Sequence, residues 1–137
     1  HHRRDFSAQQ TAQDTHTPGK EFAKCVLVVL DGTYALAVLP AHHVIDVDLM
    51  RHSLGLKELR MASEREMVKV FPDCDVGAEP PFGNLYRVPV YVSAAMADDR
   101  DLTFNAGSHD EAMRVAWADF MRLVSPHVLD FSKPRTR

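Results

Sequence analysis

The 137-residue sequence has two cysteines, one tryptophan and no long apolar run. Two cysteines cannot form a disulfide framework. Cys25 lies inside an apolar stretch, where it reads as a small buried hydrophobe, and a reducing, cytoplasmic setting follows. The longest uninterrupted apolar run, residues 25–30, falls far short of the roughly 20 residues a membrane helix needs. The opening His1-His2-Arg3-Arg4 is followed by no hydrophobic region, so no secretory signal is visible. A formal net charge of −3 argues against a protein that grips long duplex nucleic acid through many phosphates. It leaves room for a site that holds only the last nucleotides of a strand. HxxxH, HExxH and CxxC spacings, a GxSxG elbow and a Walker loop are all missing, so neither a metal nor another cofactor is indicated. Any catalysis is therefore expected to rest on preorganised backbone groups.

With 45% hydrophobic and 26% charged residues, the chain suits one complete core. One domain over residues 1–132 with a basic tail at 133–137 is expected. Ser7 and Gln10 form a capping box for a short helix at 8–15, with Phe6 as a staple. Residues 22–30 and 33–39 read as two strands joined by Asp31-Gly32, a strong hairpin signal, and their near-continuous apolar character predicts burial on both faces. Asp46 caps a helix over 47–54 that Gly55 stops, and 56–62 reads as a short strand. Ser63 and Glu66 form a second capping box for a helix ended by Pro72. Residues 86–92 alternate around Pro89, the pattern of an edge or bulged strand. Residues 102–105 read as a strand. Residues 111–116 fit a strand and 117–124 a helix, although the apolar spacing also fits one continuous helix. Interleaved hairpins and short helices define a mixed α/β (α+β) class.

Three places could carry chemistry. The stretch Gly77-Ala78-Glu79-Pro80-Pro81-Phe82-Gly83 packs two glycines and two prolines into one loop. It suits either a rigid cradle of N–H donors for an oxyanion or phosphate, or an ordinary surface turn. Lys24 interrupts an apolar strand and must either discourage edge pairing or meet an anion. Gly107-Ser108-His109 sets a histidine after a flexible turn, as an exposed loop residue or a site residue. Cys74, just before the glycine loop, reads as structural. His42 and His43, adjacent on an extended chain, are expected to point to opposite faces and so to share no metal.

Together these pieces resemble the YbaK family, the prolyl-tRNA-synthetase-associated or editing-insertion family of aminoacyl-tRNA deacylases. The resemblance runs through residues 6–12, the Ala23-Lys24 strand, residues 34–40, Phe71-Pro72-Asp73-Cys74, the Gly-x-x-x-Pro-x-Gly loop and Gly107-x-His109. It implies a mixed, barrel-like sheet flanked by short helices, and hydrolysis of the ester joining a wrong amino acid to the 3′ end of tRNA. By the same resemblance Lys24 holds the terminal nucleotide, and Gly77, Pro81 and Gly83 shape a loop whose N–H groups bind the aminoacyl carbonyl. His109 positions substrate, with Phe82 and Gly107 in the binding pocket. A hydroxyl of the terminal ribose assists the attacking water, so no protein base and no cofactor is implied. Family members also carry a further N-terminal segment, which this sequence does not show.

The expected function is therefore trans-editing of tRNA mischarged with a small amino acid such as alanine, serine or cysteine. The partner is the tRNA acceptor end, with a synthetase left open as a second partner. No membrane is involved, and the protein is a monomer or a homodimer. A non-catalytic module of the same fold that binds a tRNA end, a nucleotide or a synthetase is the alternative. A binder of small carboxylates or phosphates is a third reading.

Overall fold

The computed structural model describes residues 22–97 and 100–135. The helix expected at 8–15 lies outside the described residues. Strands β1 (Ala23–Leu30) and β2 (Thr33–Pro40) form the predicted hairpin, antiparallel in full register from Ala23 opposite Pro40 to Leu30 opposite Thr33. Asp31 and Gly32 both adopt positive φ, 48° and 86°, the turn geometry whose twist matches that of the flanking strands. The Asp31 carboxylate also accepts hydrogen bonds from the N–H groups of Lys57, at 3.0 Å, and Glu58, at 2.7 Å. This ties β4 (Leu59–Met61) to the outer edge of β1.

On the other side of the hairpin, β5 (Val90–Ser93) runs parallel to β2, and β8 (His127–Leu129) runs parallel to β5. The sheet order is β4-β1-β2-β5-β8. Two antiparallel pairs complete the set: β3 (His43–Ile45) with β9 (Ser132–Pro134), and β6 (Asp101–Asn105) with β7 (Ala112–Ala116). The mixed α/β class holds, but the main sheet stays open. The β6–β7 hairpin is a separate sheet, bridged to the start of the main sheet by Phe22 and Thr103. Two further expectations are corrected. Pro89 sits before β5 rather than within it, and its carbonyl accepts the Leu36 N–H at 2.8 Å, so β5 is an interior strand. The basic stretch from Lys133 begins inside β9, where Lys133 pairs with Val44, and not as a tail after the last element.

Among the described residues, three helices pack on this frame: α1 (Val47–Ser53), α2 (Glu64–Val70) and α3 (Trp117–Val124). Asp46 caps α1, and Ser63 with Glu66 closes both halves of the α2 capping box. The ambiguity at 111–124 resolves as strand then helix. Ala116 is extended where α3 begins, and β7 takes its ladder from β6. No helix among the described residues is long and apolar enough to cross a membrane.

Period-two alternation sends successive residues of β1 and β2 to opposite sides. Cys25, Leu27, Val29, Leu36 and Val38 join Phe71, Phe104 and Phe120 in one core. Val28, Leu30, Ala35, Ala37 and Leu39 join Met50, Leu59 and Phe131 in the other. Both faces are thus dry, as the unbroken apolar pattern predicted. Leu36 and Met50 are each fully buried, one in each core. Leu36→Ala and Met50→Ala are each expected to cost about 2–5 kcal/mol. Urea unfolding measures both, and a neutral result for either would mean that one face does not support the fold.

Candidate active site

The glycine loop is held at both ends. Before it, Phe71 stacks on Tyr86 at 4.4 Å between ring centroids, and the Tyr86 hydroxyl donates to Asp73 Oδ1 at 3.0 Å. After it, a short 3-10 turn, Gly83–Tyr86, leads into the sheet. Gly83 fits because it has no Cβ: one added there would lie 2.7 Å from Val90 Cγ2 and 2.9 Å from the Val88 carbonyl oxygen. Gly77 adopts φ +86°, a conformation that strains any residue with a side chain.

Backbone hydrogen bonds stitch this loop to the turn at 107–109. The Asp75 N–H donates to the Gly107 carbonyl at 2.8 Å, and the Gly107 N–H donates to the Ala78 carbonyl at 2.9 Å. His109 completes the stitch through Nε2, 2.8 Å from the Val76 carbonyl oxygen. A carbonyl only accepts, so Nε2 carries a proton toward it, and Nδ1 is the ring nitrogen left for another partner. The ring also lies against Gly77, where an added Cβ would meet His109 Cε1 at 3.5 Å. Gly77, Gly107 and His109 are therefore one assembly, with Pro81, Phe82 and Gly83 continuing the same loop.

The ribbon of donors is shorter than the sequence suggested. The Gly77 N–H is taken by Glu79 Oε2 at 3.1 Å, and the Ala78 N–H by the Asp75 carbonyl at 3.0 Å. Pro80 and Pro81 have no N–H to give. Among the described residues, the N–H groups of Phe82, Gly83 and Asn84 donate no backbone hydrogen bond. These are the donors the loop can offer to an oxyanion or a carbonyl.

Glu79 and Asn105 are the residues that sequence reasoning missed. Glu79 is 3% exposed and Asn105 9%. Burial pushes the Glu79 carboxyl above its ordinary range, against the pull of the Gly77 N–H and of His109. Burial, and then the Glu79 charge, push the Cys25 thiol well up as well, so it is an inert part of the wall. The available signal was a lone carboxylate set between residues chosen for backbone shape.

Lys24 lies elsewhere. By alternation it leaves β1 on the side of Val26 and Val28, opposite Cys25 and the glycine loop. Burial first, then the charge of Arg135, hold its pKa down. Beside it, His43 is also held down by burial, by His42 and by Lys24. His43 Nδ1 is bonded to Ser132 Oγ at 2.9 Å. His42 sits in the turn ahead of β3, and its ring meets that of His43 edge-on at 4.7 Å instead of pointing to the opposite face. The structure thus makes two sites from the predicted set: the loop with His109, and a cationic group around Lys24. A cleft of about 240 Å³ lined by Leu30, Tyr34, Leu54, Leu56 and Tyr91 contains no charged group.

This fold and this loop have known counterparts. The aminoacyl-tRNA editing domain family model matches residues 2–123, and the chain belongs to that family. The chain is 27% identical over 101 residues to the multifunctional Ser/Thr-tRNA deacylase ProXp-y of Escherichia coli, a match covering 73% of this chain and 60% of that protein. The chain therefore spans about three-fifths of the length of the curated relatives it matches. Its fold is that of a solved candidate trans-editing enzyme for prolyl tRNA synthetase, with a TM-score of 0.83 at 18% identity, covering 92% of this chain and 79% of the other. A scaffold protein used for epitope grafting superposes equally well, with a TM-score of 0.83 at 16% identity over 93% of this chain and 80% of its own.

Two consequences are testable. Gly83→Ala is expected to cost about 1–3 kcal/mol by overpacking against Val88 and Val90. Chemical denaturation checks it, and an unchanged midpoint would show that the loop is not clamped there. Glu79 has a folded pKa above its unfolded value, so its charge weakens the fold at neutral pH, and this cost fades as pH falls through the raised folded pKa and is gone below the ordinary 4.5. Glu79→Gln is therefore expected to raise Tm near neutral pH and to give no gain in acid. A gain independent of pH would contradict it.

Proposed function

We propose that this protein hydrolyses the ester joining a small, wrongly attached amino acid to the 3′ end of tRNA. The observation that carries this reading is the clamped loop, whose Phe82, Gly83 and Asn84 N–H groups find no backbone acceptor among the described residues and lie in the same loop that His109 braces. Such donors suit the oxygen of a tetrahedral intermediate, where each is worth about 10²–10³ in rate. Membership of the editing-domain family supports the same chemistry.

In this mechanism the ester carbonyl rests on the loop N–H groups. Water attacks its carbon, and the ribose oxygen leaves with a proton. His109, with Nε2 fixed on Val76, presents Nδ1 as the acceptor that orients a ribose hydroxyl or the water. Gly77, Pro81, Gly83 and Gly107 shape the site, and Phe82 forms part of its wall. Lys24, near the start of β1, holds a phosphate of the terminal nucleotide together with Arg135. A nucleotide touching both groups straddles the end of the strand. The Escherichia coli relative's name supports serine and adds threonine to alanine and cysteine as candidate cargo. An aminoacyl-tRNA synthetase is a further candidate partner.

The test is hydrolysis of tRNAs charged with alanine, serine, cysteine, threonine and proline. One or two mischarged species are expected to be cleaved well above their spontaneous rate. Lys24→Ala is expected to raise KM about tenfold with kcat largely kept, the signature of lost ground-state binding. If no species is cleaved while the acceptor stem still binds, the protein is a binding module of this fold instead.

A further inference from the structure

Among the described residues, the buried side-chain atoms left without a hydrogen-bond partner are Glu79 Oε1 and Asn105 Oδ1. Both are acceptors, and orphaned buried acceptors are rare because each has lost its water. They belong to neighbouring segments. Asn105 ends β6 two residues before Gly107, whose N–H bonds the carbonyl of Ala78, the residue next to Glu79. The other Glu79 oxygen already braces the Gly77 N–H, so bracing alone leaves Oε1 unexplained. The Glu79 charge acts on the thiols of Cys25 and Cys74, which are neutral, and among the described residues no lysine or arginine forms an ion pair with it. A buried carboxylate in that setting calls for a cation.

An aminoacyl ester carries one. Its ammonium is attached to the carbon next to the ester carbonyl, so a carbonyl seated on the N–H groups of Phe82 to Asn84 leaves the ammonium within the same loop. We propose that Glu79, assisted by Asn105, binds the α-ammonium group of the aminoacyl ester. This rests on the deacylase reading for the identity of the ester. The site then demands a free amine whatever the amino acid's side chain, and it rejects esters whose amine is acylated, peptidyl-tRNA among them.

The test uses acceptor-stem RNA hairpins ending in 3′-amino-3′-deoxyadenosine, acylated through a stable amide with alanine, lactic acid or N-acetylalanine. Calorimetric titration of the full chain is expected to give the alanyl hairpin about tenfold to a hundredfold tighter binding than the other two, the range for a charged hydrogen bond. Glu79→Gln is expected to erase that gap while still binding the lactyl hairpin. A gap that survives in Glu79→Gln overturns the proposal. So does equal binding of the three hairpins by the wild type, a comparison that needs no variant to fold, and so does a wild type that binds none. Because the amides are not cleaved, a wild type that discriminates here yet hydrolyses no aminoacyl-tRNA would sink the deacylase reading and leave this one standing.

Discussion

The ladder between β1 and β2 is the constraint on which the rest depends. Its full register is set by the Asp31-Gly32 turn, and because both faces are buried a slip of one residue would exchange the two cores. The same register decides which side of the sheet each functional group reaches. Cys25 faces the core beside the glycine loop, whereas Lys24, one residue earlier, is sent to the side of Arg135 and His43. Two neighbouring residues thus reach opposite sides of the sheet.

The loop itself stays rigid because it is bound on all sides. Tyr86 and Asp73 close its base, Val88 and Val90 fill the space beside Gly83, and four hydrogen bonds join it to the 107–109 turn. Donors held this way need no rearrangement when charge develops on a bound oxygen, which is how a site without an acid–base pair can still accelerate ester hydrolysis. Two charged groups are costly to the fold: Glu79 in the loop and Lys24 across the sheet from it both have their charged forms disfavoured by burial. Groups kept in the face of such a cost are understandable as ligands for charges that arrive with a substrate.

Much of this was legible in the sequence. The hairpin and both caps of the middle helices follow from local chemistry, that is turn residues and side-chain acceptors, whereas at 111–124 the apolar period fitted both a strand-to-helix switch and one helix, and pairing with β6 decided it. Long-range facts were not legible. Pro89 looked like an edge-strand marker because nothing local says that its carbonyl will serve β2, and Lys133 looked like tail because its partner, Val44, is far away in sequence. Residues of the loop could be singled out, but not which of its N–H groups are spent internally. That depends on Glu79 and Asp75 folding back, a matter of side-chain placement. The separation of Lys24 from the loop is implicit in strand alternation, yet it becomes visible only once the loop is known to pack against Cys25.

The most direct test of the account is a crystal structure of the protein bound to an acceptor-stem end carrying an amino acid through a 3′-amide. The account predicts the acyl carbonyl oxygen within hydrogen-bond distance of the N–H groups at Phe82, Gly83 or Asn84, with a phosphate beside Lys24. An acyl group seated in the apolar cleft by Tyr34 and Tyr91, or a nucleotide bound with its acyl end in solvent, would contradict it.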